Sequence, residues 1–263
     1  MSEKYDIIGN DYNATRKADP FLVERLIHHL NPQKGQKFLD IGCGTGNYTI
    51  KLHQKGLDFI GIDPSSKMLK IALSKSSDID WQLGKVEKIP FENNSFDGAI
   101  ATLTIHHWSN LQIGFNELFR VLKPTGRLVI FTSTPKQMKG YWLNHFFPKM
   151  LNDSIIQMPD FETVEQNLLT NRFQNISMEK YFVKSDLQDL FLYAGKHDPK
   201  LYLNEKVRQG ISSFSSLAHH KEVENGLNHL KEAIDSKTIK SIMEKYQNDE
   251  GDYLFVIAHK NTN

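Results

Sequence analysis

Between Lys37 and Asp63 the chain sets out residues that suit an adenosine-containing ligand. The apolar run Lys37 to Ile41 leads into Gly42-Cys43-Gly44-Thr45-Gly46-Asn47, three glycines at alternate positions ahead of a helix start. Such a turn brings bare backbone close to a ligand and points N–H groups toward it. A dinucleotide fingerprint, G-x-G-x-x-G, needs its third glycine at position 47, where Asn47 stands instead. Asp40 precedes the glycines, and Asp63 closes the next apolar run in Phe59-Ile60-Gly61-Ile62-Asp63-Pro64. A carboxylate at the end of a second strand can accept both hydroxyls of a ribose.

A second group of reactive side chains follows the fourth apolar run, in Thr104-Ile105-His106-His107-Trp108. Imidazole titrates near neutrality, so a histidine here can take a proton from a hydroxyl or amine, or else simply pack. On an extended chain adjacent side chains diverge, so at most one of His106 and His107 is expected to face a pocket. Nothing beside Cys43 lowers its pKa, and it reads as a small buried filler. His28-His29 and His219-His220 have neither metal-ligand spacing nor an acidic partner in sequence, so no metal is expected. Arg208 offers a fork donor for an anion or a solvated surface charge. Tyr141, Trp142, Phe146, Phe147, Tyr181, Phe182, Phe191, Tyr193, Tyr202 and Phe214 suit an apolar lid, some lining a pocket and others gluing the lid down.

The elements that must hold these residues alternate. A helix over 20–30 carries Leu22, Val23, Leu26, Ile27 and Leu30 on one face, with Asp19 as cap and Pro20 at its first position. Apolar runs at 37–41, 57–62, 79–83, 96–103 and 127–131 read as strands buried on both faces. Helical stripes lie between them: Met68, Leu69, Ala72 and Leu73 after the cap Ser65, then Leu111, Phe115, Leu118, Phe119 and Leu122 before the turn Pro124-Thr125-Gly126. This rhythm predicts an α/β fold, a doubly wound, mostly parallel sheet with helices on both faces and its function at the strands' carboxyl ends. Beyond Thr134 a helix face at 161–168 and a strand at 176–183 are expected. Helices carrying Leu187 to Ala194, Val223 to Ile234 and Ile239 to Tyr246 then precede a closing strand at 253–258.

The 263 residues give one large domain with additions: a core at 1–135, helical lid additions at 136–175 and 185–250, and a final strand within 252–260. Lys and Arg number 32 against 31 Asp and Glu, so charge gives no reason to expect nucleic acid. One cysteine excludes a disulfide framework and fits a reducing compartment, hence the cytoplasm. The polar start is no secretory signal, and no run reaches the ~20 apolar residues of a membrane span. Oligomeric state is not encoded in any of these features.

Five blocks in order resemble the class I S-adenosylmethionine-dependent methyltransferases, in the small-molecule group that includes the quinone-biosynthesis and trans-aconitate enzymes. They are Leu39 to Gly46, Gly61 to Ser65, Gly84 to Phe91, Ser95 to Ile100 and Leu118 to Leu128. The resemblance covers roughly residues 5–133. It implies a seven-stranded sheet whose last strand is antiparallel, S-adenosylmethionine as cofactor and a small-molecule acceptor. It further implies that Gly42, Gly44 and Gly46 give backbone to the methionine moiety, that Asp63, followed by Pro64, holds the ribose, and that Asp40 orients the loop or reaches the amine. Met68 would pack on adenine unless it is core, Val86 and Glu87 would flank adenine, and Leu103 would offer backbone near the amine. Tyr12 and Arg16 resemble the segment that folds over the cofactor, while Trp108, Tyr141 and Arg208 fall on the substrate side. A nicotinamide-dependent oxidoreductase and a non-catalytic member of the fold are the competing readings.

Overall fold

The computed structural model describes residues 15–261. Its strands are β1 (Lys37–Ile41), β2 (Asp58–Asp63), β3 (Asp80–Leu83), β4 (Phe96–Thr102), β5 (Leu122–Thr132), β6 (Phe173–Tyr181) and β7 (Tyr253–Lys260). They form one sheet in the order β3-β2-β1-β4-β5-β7-β6. Neighbours among β1 to β5 are parallel, and β7 runs antiparallel to both β5 and β6. The chain order reverses between β1 and β4, the switch point at which open α/β sheets hold their ligands.

Two apolar layers cover the sheet. On one face α1 (Pro20–Leu30) buries Leu22, Val23, Leu26 and Leu30. Asp19 caps it by accepting from Leu22 N, and Asn31 closes it in the left-handed conformation. The helix after the glycine turn, α2 (Asn47–Gln54), joins the same layer through Tyr48 and Leu52. Next in sequence is α3 (Ser66–Lys75), capped by Ser65. On the opposite face α4 (Leu111–Val121) packs Phe115, Leu118 and Val121. The segment after β5 forms α5 (Pro135–Lys139) and α6 (Pro148–Ile156) on the first face, then α7 (Phe161–Thr170) beside α4. Between β6 and β7 lie α8 (Glu205–Gln209), α9 (Ser212–Ser216), α10 (His220–Asp235) and α11 (Ile239–Lys245).

Three elements depart from the pattern of the sequence. β3 is an edge strand, not one buried on both faces, and Leu83 is 61% exposed. The Pro124-Thr125-Gly126 turn falls inside β5, because Leu122 pairs with Phe96 and Arg127 already pairs with Gly98. The surplus residues bulge out, with Thr125 at φ 67°. Leu187 to Ala194 form turns despite their helical spacing. There Asp189 is drawn into a buried ion pair with Arg16, while Leu190 N donates to Thr15 O and Gln188 N to Asp19 Oδ2. These long-range bonds override local propensity.

Candidate functional site

A cavity of about 470 Å³ opens over the carboxyl ends of β1, β2, β4 and β5. It is lined by Asp40, the loop from Gly42 to Thr45, Asp63, Pro64, Met68 and the segment 102–104, with His106 and His107. The other wall comes from Arg16 and from residues after β5 and between β6 and β7.

The glycine turn is fastened from beneath. Gly42 and Cys43 donate their N–H groups to Ile62 O, Gly44 donates to Asp63 Oδ2 at 2.8 Å, and Gly46 donates to Cys43 O. The three glycine N–H groups are therefore used within the protein rather than pointed at a ligand, contrary to expectation. What the turn offers instead is room. Gly44 has φ +55°, and a Cβ there would meet nothing within 4 Å, whereas one on Gly42 would strike Thr104 Oγ1 at 2.1 Å. Gly46 is not a wall residue, since it faces the Trp81 ring, which a Cβ would meet at 2.4 Å. A side chain on Gly42 or Gly46 would thus push the loop off β4 or β3.

The two carboxylates sit side by side. Asp40 is 2% exposed, and its Oδ2 accepts from Thr49 Oγ1 at 2.6 Å. Burial pushes its carboxyl up to about 7, with the charge of Asp63 adding to the effect and the Thr49 bond opposing it. Asp63 accepts from Gly44 N on one oxygen and from Ser65 N on the other, so it braces the glycine loop and the β2–α3 turn together. Burial drives the Cys43 thiol well above its ordinary value, so it stays protonated and inert.

At the end of β4, Leu103 adopts φ 53°, a left-handed conformation uncommon for a branched residue, and turns the chain into the short 3₁₀ segment Ile105–His107. That turn explains why both histidines line the cavity where at most one was expected. In a 3₁₀ turn successive side chains are separated by about 120° rather than alternating across a strand. Their rings lie 3.9 Å apart.

Arg16 lines the cavity and is paired with Asp189, which also accepts from the Tyr48 hydroxyl at 3.1 Å. Asn47 donates to Arg16 O at 2.8 Å, so the residue replacing a third glycine ties the amino-terminal segment to α2. Tyr12 lies outside the described residues.

Several expected site residues stand elsewhere. Val86 is buried under α4, where a Cβ on Gly114 would touch it at 3.2 Å. Glu87 accepts from Ser109 N at 2.7 Å and Ser109 Oγ at 2.8 Å, clamping the loop after β3 to the one after His107. Trp108 packs on Phe115 with centroids 5.3 Å apart. Tyr141 stacks behind Tyr193 at 3.9 Å and shares a 2.5 Å bond with the Tyr202 hydroxyl. Arg208 spends its guanidinium on Tyr202 O at 2.6 Å. None of the five lines the cavity; of the expected aromatic lid residues, Phe191 and Tyr193 do. Sequence reasoning missed Ser133, the residue after β5, and Asp189 and Tyr253, which reach the wall through tertiary pairing. The histidine doublets also have acidic neighbours in space: Asp153 lies 2.9 Å from His219, and Glu179 lies 3.5 Å from His29.

Carboxylates outnumber cations three to one on the wall, as Asp40, Asp63 and Asp189 against Arg16. With the N–H groups of Gly42, Cys43, Gly44 and Gly46 already used, this surface suits a cationic ligand bearing hydroxyls better than a pyrophosphate. Residues 39–130 match the family model described as a methyltransferase domain. An uncharacterized methyltransferase of Mycobacterium tuberculosis is 32% identical over 216 residues, covering 80% of this chain and 88% of the relative. The chain belongs to the methyltransferase family. A crystal structure from Anabaena variabilis, described as a methyltransferase from an antibiotic biosynthesis pathway, shares 32% identity at a TM-score of 0.83. It covers 92% of this chain and 98% of that one. A demethylmenaquinone methyltransferase of Thermotoga maritima is 34% identical over 145 residues, 54% of this chain and 62% of the relative. Among the described residues no helix of this methyltransferase is long and apolar enough to cross a membrane.

Proposed function

We propose that this methyltransferase transfers a methyl group from S-adenosylmethionine to a small-molecule acceptor. The observation that carries the reading is the pair Asp40 and Asp63 at the ends of β1 and β2, both on the wall and both beside the open space at Gly44. S-adenosylmethionine, when bound, supplies a methyl group on a cationic sulfonium that needs no further activation.

The chain's own residues do the rest. Asp63, on the wall at the end of β2, would accept from the ribose hydroxyls, with Pro64 and Met68 on the adenine side. Asp40 and the backbone carbonyl of Leu103 hold the ammonium group, while the space over Gly44 admits the methionine chain. The wall from β5, β7 and the β6–β7 segment would exclude water and hold the acceptor against the donor, with orientation contributing several kcal/mol. Held there, S-adenosylmethionine would supply its methyl group to the acceptor's electron pair and leave as S-adenosylhomocysteine. His106 or His107 takes any proton the acceptor loses. Residues up to about 135 hold the donor, and the later additions shape the acceptor site. The similar Anabaena protein, described as belonging to an antibiotic pathway, supports a small acceptor.

The test is calorimetric titration of the full chain with S-adenosylmethionine and S-adenosylhomocysteine. Binding of both at micromolar affinity is expected, and no measurable binding of either refutes the reading.

A further inference from the structure

The wall of the cavity is unevenly charged. Among the described residues every formally charged lining group is Arg16, Asp40, Asp63 or Asp189. Arg16 and Asp189 neutralise each other, and Asp40 and Asp63 stand at the donor end. The remainder, contributed by the end of β5, the start of β7, α5, α6, α9 and the turn at 191–193, is polar but uncharged or plainly apolar.

Three of its hydroxyls are committed to the protein. Ser133 Oγ donates to Asp252 O at 2.9 Å, Ser154 Oγ donates to Ser213 Oγ at 2.8 Å, and the Tyr193 hydroxyl donates to Gln137 O at 3.0 Å. Tyr253 enters here because β7 is antiparallel: Leu254 pairs with Thr132, so the first residue of β7 arrives at the carboxyl end of β5. Burial holds the phenols of Tyr193 and Tyr253 well above their ordinary range, so both remain neutral. Met138, Met158, Ile211 and Leu217 complete the surface with apolar atoms.

Resting on the proposed donor site, we propose that the acceptor is an uncharged, largely apolar molecule, and that this chamber rejects carboxylate and phosphate analogues of it. A buried anion needs a paired cation or several donors; here the one cation on the wall, Arg16, is already paired with Asp189, and the hydroxyls of Ser133, Ser154 and Tyr193 are spent on protein oxygens. An apolar ring gains about 25 cal/mol per Å² of area removed from water on the same wall. Methionine side chains adapt to the shape of such a ring.

The experiment uses the full chain saturated with S-adenosylhomocysteine at about pH 8, where free imidazole is neutral. Three probes of one shape are titrated: 2-naphthol, 2-naphthoate and 2-naphthyl phosphate. The expected result is that 2-naphthol binds at least about tenfold more tightly than either anion. In Met158→Lys, a substitution of similar length with a mobile cation, 2-naphthoate should gain at least about tenfold over wild type while S-adenosylhomocysteine affinity is retained. Equal binding of the three, a preference for either anion in the wild-type protein, or no binding of 2-naphthol overturns the proposal. Failure of S-adenosylhomocysteine itself to bind refutes the donor reading instead, so the two failures are distinct.

Discussion

Gly44 donates its backbone N–H to Asp63 Oδ2 at 2.8 Å, and this one bond couples the glycine loop after β1 to the end of β2. Ser65 N donates to the other oxygen at the same distance, so Asp63 supports the loop it is also proposed to help load. Asp63→Ala should lose both bonds, cost about 1–3 kcal/mol in urea denaturation and lower S-adenosylhomocysteine affinity by about a hundredfold. Asp63→Asn keeps one acceptor oxygen and so one of the two bonds; it should destabilise less than Asp63→Ala yet bind at least about tenfold more weakly than wild type. Wild-type affinity in Asp63→Asn would show that the carboxylate is a brace and nothing more.

Asp40, with its carboxyl pushed up to about 7 by burial, makes donor binding depend on pH. A cationic ligand favours the carboxylate, so S-adenosylmethionine affinity should rise between about pH 6 and 8, with net proton release at the lower end. Stability runs the other way. The folded value lies above the unfolded one, so the contribution of this group is complete below about pH 4 and is lost as pH rises toward 7. Asp40→Asn should flatten both curves, as read by calorimetry in buffers of different ionisation enthalpy and by thermal melts across the range. A binding slope that survives in Asp40→Asn would assign it to another group.

How far the fold could be read from the residues depended on whether their cause was local. The helix over Pro20–Leu30 carries its cap, its proline and its apolar stripe within a dozen residues, and it forms as its sequence suggests. Asp40, Asp63, Met68 and Leu103 follow from the strand–turn–helix order, and all four reach the cavity. Leu187 to Ala194 have an equally helical spacing, yet their fate is set by Arg16 and Thr15, more than 170 residues away. Tyr253 is a site residue only because β7 inserts antiparallel beside β5, a pairing with no local sign. Tyr141 and Arg208 suited a pocket by type, but Tyr202 claims both from a buried second layer.

Arg16 and Asp189 join the amino-terminal segment to the segment between β6 and β7 across the cavity rim. Asp189→Ala removes a carboxylate that also accepts from Tyr48, and breaking such a buried pair should cost about 3 kcal/mol. Asp189→Asn, which can still accept from Tyr48, should cost less. A double-mutant cycle with Arg16→Ala should return a coupling of at least about 1 kcal/mol, and trypsin should cut after Arg16 or Lys17 faster in the Asp189 variants. Additive effects and unchanged cleavage would reduce the pair to an incidental surface contact.

His106 and His107 divide a single question between them, since both line the cavity with rings 3.9 Å apart. If one takes the acceptor's proton, its alanine variant should lose about 10²–10⁴-fold in turnover while S-adenosylhomocysteine affinity is kept. Imidazole must be neutral to accept a proton, so wild-type turnover should fall on the acid side of its pH profile, and that limb should vanish in the same variant. The other histidine then serves as packing, and its replacement should change turnover by less than about tenfold. Unchanged turnover in both His106→Ala and His107→Ala would mean that the acceptor sheds its proton without help from either ring. Catalysis would then rest on alignment and exclusion of water, supplied by the walls that carry Tyr193, Ile211 and Tyr253.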